Sequence, residues 1–254
     1  KEKKIDEIRN LYSALVFSLK NYMKKNEFRK AIIGISGGID SALCLMIASD
    51  ALGSQNVNSF FLPSTYTSLE SRKDAYELAK NLEVDIQDIS IESMRKEISN
   101  QLSFLFKGLS ADITEENIQS RIRGLILMAI SNKFNSLLIT TGNKSELAVG
   151  YSTLYGDMCG GFSLIKDLYK SQVIKLTEWR NKNIAEEYRV KKINTIPNNI
   201  IIKEPTAELK PNQKDSDTLP NYDILDKILE LIIDKRSDLS SVIKSGFNKR
   251  IIKK

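Results

Sequence analysis

The sequence predicts an α/β fold, a doubly wound, Rossmann-like parallel sheet with helices on both faces. Three observations carry that expectation. A continuous apolar run, Ala31-Ile32-Ile33-Gly34-Ile35, leads into glycines, as a strand covered on both faces does. Strand-like segments alternate with stretches of helical spacing and length. Strands separated by such helices need right-handed crossovers, and crossovers of that hand build a parallel sheet.

Taken in order, the first helix spans 5–25, where Ile5, Ile8, Leu11, Tyr12, Leu15, Val16 and Leu19 form one apolar stripe. Strand 31–35 follows, then a helix from Asp40 to a stop at Gly53. The alternation continues with strand 57–62, helix 70–82, strand 84–89, a polar helical stretch, helix 115–134 and strand 136–141. A further helix covers 171–183. Residues 191–219 then mix Pro197, Pro205 and Pro211 with many polar side chains and read as long, mobile loops. Such loops form lids over ligand sites or plain surface excursions, and composition supports both. Helix 222–234 and a basic tail from Lys249 close the chain.

With 254 residues the expectation is a single domain over 1–254. There is no histidine. That removes the imidazole base of most hydrolases, imidazole-ligated zinc and a histidine pH switch. A net charge of +6 favours anionic partners, and phosphorylated small molecules fit it as well as nucleic acid. Two cysteines among 28% charged residues suit reduced, cytoplasmic thiols. No stretch approaches the roughly 18 apolar residues of a membrane span, and no signal-peptide core follows Lys1-Glu2-Lys3-Lys4. A soluble cytoplasmic protein is expected, processed or cut from something longer because it starts at Lys1.

Gly34-Ile35-Ser36-Gly37-Gly38-Ile39-Asp40-Ser41 lies where a doubly wound sheet binds ligands, between a strand end and a helix start. Adjacent glycines let successive N–H groups line one concavity, two serines add hydroxyls, and the helix dipole favours an anion. A Walker A loop fails because no lysine follows Ile39. A dinucleotide fingerprint fails because Ser36 stands where its second glycine belongs. Gly34-x-Ser36-x-Gly38 does match a hydrolase nucleophile elbow, but that serine needs an imidazole base and the chain has none.

What is left, Ser36-Gly37-Gly38-Ile39-Asp40-Ser41, resembles the signature loop of ATP pyrophosphatases. These enzymes hold the β- and γ-phosphates and cleave ATP between the α- and β-phosphates. In such a loop Asp40 is a Mg²⁺ candidate; otherwise it is an ordinary acid in a first helical turn. Asn117, Arg121 and Gly124 share a helix face beside the apolar stripe Ile118, Ile122, Leu125, Ile126 and Ala129. That face suits a polar ligand or plain solvent. Asn143 and Glu146 have the spacing of a capping box, a purely structural role for the glutamate. Residues 150–161 are too glycine-rich and aromatic for a core element, so backbone must pass close to something there.

In order along the chain, Ser36–Ser41, Pro63-Ser64-x-Tyr66, Asn117-x-x-x-Arg121-x-Arg123, Thr141–Glu146, Tyr155-Gly156-Asp157, Lys166-Asp167-Leu168-x-Lys170 and Lys203–Leu209 closely resemble the synthetase domain of NAD synthetases. The resemblance runs from about Leu11 to Thr206 and weakens beyond. It implies that Gly34, Ile35, Ser36, Gly37, Gly38, Ile39, Asp40 and Ser41 bind ATP together with Thr141, Lys170 and Thr206. It implies deamido-NAD contacts at Asn117, Arg121, Glu146, Asp157 and Lys249, Mg²⁺ on Asp40 and Glu146, and catalytic roles for Asp40 and Lys170. The implied reaction adenylates the nicotinate carboxylate of deamido-NAD, releases pyrophosphate and lets ammonia displace AMP, in a homodimer that uses neither nucleic acid nor membrane. The helix 115–134 could supply the dimer interface or core packing.

Where some members carry a lysine before Tyr155-Gly156-Asp157 this chain has Leu154, and the surrounding run resembles the glutamine-dependent branch. No ammonia-generating amidase domain is present in these 254 residues, so ammonia is either free or supplied by a missing part. Cys44, among apolar neighbours, and Cys159, without an evident base, are not expected to be its nucleophile. Two alternatives stand: an ATP pyrophosphatase that amidates or thiolates another acid or a tRNA, and a nucleotide-binding protein without turnover.

Overall fold

The computed structural model describes residues 6–253. Five strands, β1 (Ala31–Ile35), β2 (Val57–Phe61), β3 (Asp85–Asp88), β4 (Leu137–Thr140) and β5 (Phe162–Ser163), form one parallel sheet in the order β3-β2-β1-β4-β5. The strand order reverses at β1, which pairs with β2 on one side and β4 on the other. The crevice beyond the carboxyl ends of β1 and β4 is therefore the switch point where such sheets bind ligands.

Helices cover both faces. On one face α1 (Glu7–Lys25), α2 (Ile39–Leu52), α3 (Leu69–Leu82) and α7 (Lys170–Lys182) share a core with β1 and β4. Ile5, expected in the first helix, lies outside the described residues. α2 is buried along nearly its whole length, which explains a helix that carries no polar stripe. On the other face α4 (Glu92–Leu102) packs on α5 (Ile113–Phe134), which buries Ile122 and Ile126 against Ile32, Phe60, Leu62 and Leu138. Leu125 and Ala129, expected in that stripe, are exposed. Each precedes a sheet-facing residue by one position, and one residue is about 100° of helix rotation.

β5 was not expected from the sequence. It is two residues long, follows directly on the glycine-rich segment and pairs with β4, Ile139 opposite Phe162. β3, reading Asp-Ile-Gln-Asp, is an edge strand whose acids face solvent. The short α6 (Lys144–Ala148) begins just past β4.

The stretch 191–219, expected as loops, contains α8 (Asn198–Ile202) and a 3₁₀ turn (Asp215–Asp217). Its start is anchored by Arg180 of α7, fully buried and paired with Asp50 of α2 at 2.7 Å, whose guanidinium also donates to the carbonyls of Val190 and Lys192. α9 (Tyr222–Leu229) runs into a π-helical turn (Glu230–Asp234), and α10 (Leu239–Lys244) and α11 (Lys249–Lys253) complete the described chain.

Candidate functional site

A cleft of about 530 Å³ opens at the switch point. Its floor is the β1–α2 loop. Gly37 sits at φ +80°, and a Cβ there would lie 2.3 Å from the carbonyl oxygen of Ser71, so only glycine fits. The two loop serines are turned on each other: Ser36 Oγ and Ser41 Oγ share a 3.2 Å hydrogen bond, Gly38 N–H donates to Ser36 Oγ, and Ser41 Oγ donates to the Gly38 carbonyl. They brace the loop's shape. Gly38, the N-cap of α2, offers no side-chain cap, so the first amides of a buried helix are left for a ligand.

Three chain segments bring charge to this loop. Asp40 sits in the first turn of α2, Glu146 on α6 and Lys170 at the start of α7. The Lys170 ammonium, 3% exposed, donates to the Asp40 carboxylate and, at 3.2 Å, to Glu146. Burial alone would lower its pKa, but Asp40 and Glu146 reverse that and raise it. Glu146 moves the other way. Burial, with the Asp40 charge nearby, pushes its carboxyl up to about 7 despite Lys170. Asp215, raised chiefly by burial, adds a third carboxylate, held by Tyr222 at 2.9 Å and Tyr151 at 3.2 Å. One ammonium thus faces three acids.

The expected capping box is half made. Asn143 accepts the Glu146 amide at 3.0 Å, but the Glu146 carboxylate reaches Lys170 instead of returning to the cap. Among the described residues no three Asp, Glu, His or Cys side chains gather as a complete metal cage. Asp40 and Glu146 are hard oxygen donors of the kind Mg²⁺ takes in ones and twos, the remaining ligands coming from substrate phosphate and water.

The other wall carries Asn117, Arg123 and Gly124 of α5 and the segment 150–159. A Cβ on Gly124 would lie 2.8 Å from the Gly156 carbonyl oxygen, so this glycine admits backbone and not a ligand. Asn117 accepts from Thr153 Oγ1 at 2.8 Å, and Asp157 accepts the Thr153 amide at 2.7 Å. Burial raises the Asp157 carboxyl. Arg123 donates to the Leu62 carbonyl and makes no ion pair among the described residues, and burial lowers its guanidinium to about 10.

Of the residues expected at the site, Gly34, Ile35, Ser36, Gly38, Ile39, Asp40, Ser41, Asn117, Thr141, Glu146, Asp157, Lys170 and Thr206 line the cleft. Gly37 stands just behind it, its carbonyl turned to Lys203. Arg121 and Lys249 are not brought in: Arg121 is exposed and donates to the Leu154 carbonyl, and Lys249, exposed, starts α11. Sequence reasoning missed Asp215, in the stretch where periodicity fades, and Tyr222, which starts the expected helix 222–234. Lys203 and Glu208 lay inside a quoted motif but had no role there. Cys44 is buried, its thiol raised by burial, and Cys159, on the cleft wall, is raised by burial and by Asp157.

A family model described as NAD synthase matches residues 11–254. The chain is 46% identical over 243 residues to a glutamine-dependent NAD(+) synthetase of Rhodobacter capsulatus, covering 96% of this chain and 44% of that protein. It is 48% identical over 242 residues to one from Thermotoga maritima, covering 95% of this chain and 41% of the relative. The chain thus spans less than half the length of these curated relatives. A glutamine-dependent NAD+ synthetase from Acinetobacter baumannii, solved in complex with ADP, superposes with a TM-score of 0.75 at 39% identity, over 100% of this chain and 44% of that one. An NH3-dependent NAD synthetase from Campylobacter jejuni shares the fold, with a TM-score of 0.76 at 24% identity over 97% and 91% of the two chains.

Proposed function

The chain belongs to the NAD synthase family, and from that premise and the chemistry of the cleft we propose that it forms NAD from deamido-NAD, ATP and ammonia. The observation that carries this reading is Lys170, a buried ammonium held between Asp40 and Glu146 at the open end of α2. The acids there outnumber the ammonium, so the cluster suits a triphosphate as its Mg²⁺ complex, while the loop amides and the helix N-terminus match the phosphates and the pyrophosphate that leaves.

In this reading the loop from Gly34 to Ser41 holds the β- and γ-phosphates, with Thr141 and Thr206 on the rest of ATP. Asn117, Asp157 and Glu146 meet deamido-NAD, while Arg121 and Lys249, off the cleft wall, are assigned nothing at the reacting carboxylate. The nicotinate carboxylate oxygen attacks the α-phosphorus, the bond to the bridging oxygen breaks, and pyrophosphate carries the charge away. Ammonia then attacks the activated carbonyl carbon and AMP leaves. No protein nucleophile is consumed, so positioning and charge neutralisation suffice and a histidine-free site can serve. Asp40 and Glu146 would hold Mg²⁺, which when bound supplies Lewis-acid neutralisation of phosphate oxygens. Lys170 orients both carboxylates and screens their repulsion.

The setting we propose is a cytoplasmic homodimer that acts on small molecules and needs neither nucleic acid nor membrane. Two free cysteines, and no helix among the described residues long and apolar enough to cross a membrane, support it. The exposed Leu125, Leu154 and Tyr155 offer apolar area for a second copy. The single domain, the placement of 191–219 over the cleft, and ammonia taken free or from an amidase part belong to the same proposal.

The test is NAD formation from deamido-NAD, ATP and Mg²⁺ with ammonium or glutamine as nitrogen source. Turnover with ammonium alone is expected. Pyrophosphate released with tRNA but not with deamido-NAD would overturn the reading.

A further inference from the structure

Lys203 closes α8 and lines the cleft, and its side chain reaches the β1–α2 loop. Its ammonium donates to three acceptors: the Gly37 carbonyl at 3.1 Å, Ser71 Oγ at 3.1 Å and Asp74 Oδ2 at 3.0 Å. An ammonium has three protons, and all three are used. Lys203 is therefore spoken for before any phosphate arrives, unlike a lysine that grips a ligand.

The three partners belong to one structure. Ser71 and Asp74 lie in the first two turns of α3, where Ser68 is the N-cap. Gly37 leans directly on the Ser71 backbone. Asn199 donates to Asp74 at 2.7 Å, and Glu208 accepts from Ser68 Oγ at 2.7 Å and Ser71 Oγ at 2.8 Å. The amino end of α3 is thus a rack on which the glycine loop and the segment 199–208 both hang. Lys203 is the tie between them.

That tie has a consequence for the loop amides. In a planar trans peptide the carbonyl and the N–H point in opposite directions. Drawing the Gly37 carbonyl toward Lys203 therefore turns the Gly38 N–H the other way, where it donates to Ser36 Oγ at 3.2 Å. A peptide with glycine on both sides has little intrinsic preference to hold that orientation.

We propose that Lys203 is a positioning residue for the phosphate loop, setting the Gly37–Gly38 peptide so that its amide braces Ser36 Oγ within the loop that receives the β- and γ-phosphates, and making ATP affinity depend on docking of the 199–208 segment. The proposal rests on the reading of the cleft as an ATP site. Its signature is selectivity: AMP lacks the outer phosphates and gains nothing from the loop.

The experiment measures equilibrium binding of ATP with Mg²⁺, and of AMP, to the full chain and to Lys203→Met and Asp74→Asn. Lys203→Met is expected to weaken ATP about tenfold, the worth of one hydrogen bond to a charged group, while AMP stays within about twofold. Asp74→Asn, which removes the ammonium's charged anchor at a residue off the cleft, is expected to weaken ATP in the same selective way. Unchanged ATP affinity in Lys203→Met, or equal weakening of ATP and AMP, would overturn the proposal. So would weakening by Lys203→Met without any by Asp74→Asn, because a lysine that touches phosphate itself would survive loss of its anchor. If Lys203→Met fails to fold, Asp74→Asn alone decides by the same criteria. A wild-type chain that binds no ATP would instead sink the underlying reading of the site.

Discussion

Nδ2 of Asn143 donates to Oδ1 of Asp40 at 2.9 Å, while Oδ1 of Asn143 accepts the Glu146 amide at 3.0 Å. A fully buried side chain thus caps α6 and orients the acid at the start of α2. The two jobs separate in Asn143→Asp, which keeps an excellent cap but sets a carboxylate against Asp40. Because that carboxylate is buried, the expected result is a melting temperature lowered above the carboxyl pKa and recovered in acid, where the cap alone remains, with NAD formation reduced about 10- to 100-fold, the scale of a lost hydrogen bond to a charged group. Steady-state kinetics beside thermal melts check it, and wild-type turnover in Asn143→Asp would remove Asn143 from the site.

The crowd of carboxylates around Lys170 makes stability depend on pH. Glu146 titrates at about 7 in the folded chain against an ordinary 4.5, because burial and the Asp40 charge favour its protonated form. A raised acid stabilises the fold below its unfolded pKa, and the gain is lost as pH rises through the folded value. Without ligands, this group is expected to remove on the order of 3 kcal/mol between about pH 4.5 and 7. Glu146→Gln should flatten that part of the curve in urea melts, and added Mg²⁺ should restore stability at about pH 8 in wild type but not in the variant. A wild-type curve already flat over that window would contradict the assignment.

How much of this was legible beforehand follows from where each signal lives. The phosphate loop was readable because strand, glycines and helix start are consecutive, so local chemistry alone locates it. The sheet was readable because β1 and β4 are apolar runs, and β2 ends in one, between helical periods. β5 was not, being two residues held by pairing with β4 and not by any pattern of their own. Leu125 was placed in the buried stripe because Ile122, Leu125, Ile126 and Ala129 have helical spacing, and only packing against Ile32 and Leu138 shows which edge of the stripe faces the sheet. Arg121 and Lys249 entered through a family likeness and lie off the cleft. Asp215 was invisible because it lies in a segment without periodicity, and Tyr222, the first residue of an expected helix, because only the packing of α9 brings its ring to Lys170.

The Arg180–Asp50 pair is a second buried charge cluster, away from the cleft. Both side chains are fully buried, Tyr12 donates to Asp50 at 2.7 Å, and Arg180 holds the carbonyls of Val190 and Lys192. Burial raises the Asp50 carboxyl, and Arg180 is the largest influence opposing it. Removing one partner strands the other without water, so Arg180→Leu is expected to cost about 3–5 kcal/mol in urea unfolding. The double variant Arg180→Leu/Asp50→Leu should recover part of that, since the orphaned charge is then gone. A loss below about 1 kcal/mol in Arg180→Leu would mean that water reaches Asp50.

Gly124→Ala sets two effects in opposition. Inside a helix alanine is favoured over glycine by about 1 kcal/mol, so an open position would be stabilised. Here the new Cβ would lie 2.8 Å from the Gly156 carbonyl oxygen, 3.0 Å from that of Tyr155 and 3.1 Å from Cys159 Sγ. Backbone oxygens cannot rotate away, and Gly156 is itself pressed on Ser120, so the segment 150–159 must lift as a body. Overpacking of this kind costs about 1–3 kcal/mol, enough to outweigh the helical gain. The lifted segment carries Thr153 and Asp157, which hold Asn117 and the dinucleotide side of the proposed site. Gly124→Ala is therefore expected to lower the melting temperature by a few degrees and to raise the KM for deamido-NAD severalfold while the KM for ATP stays near its wild-type value. Equal rises in both constants would show that the two walls of the cleft move together, and a higher melting temperature would show that the glycine loop yields more easily than its contacts imply.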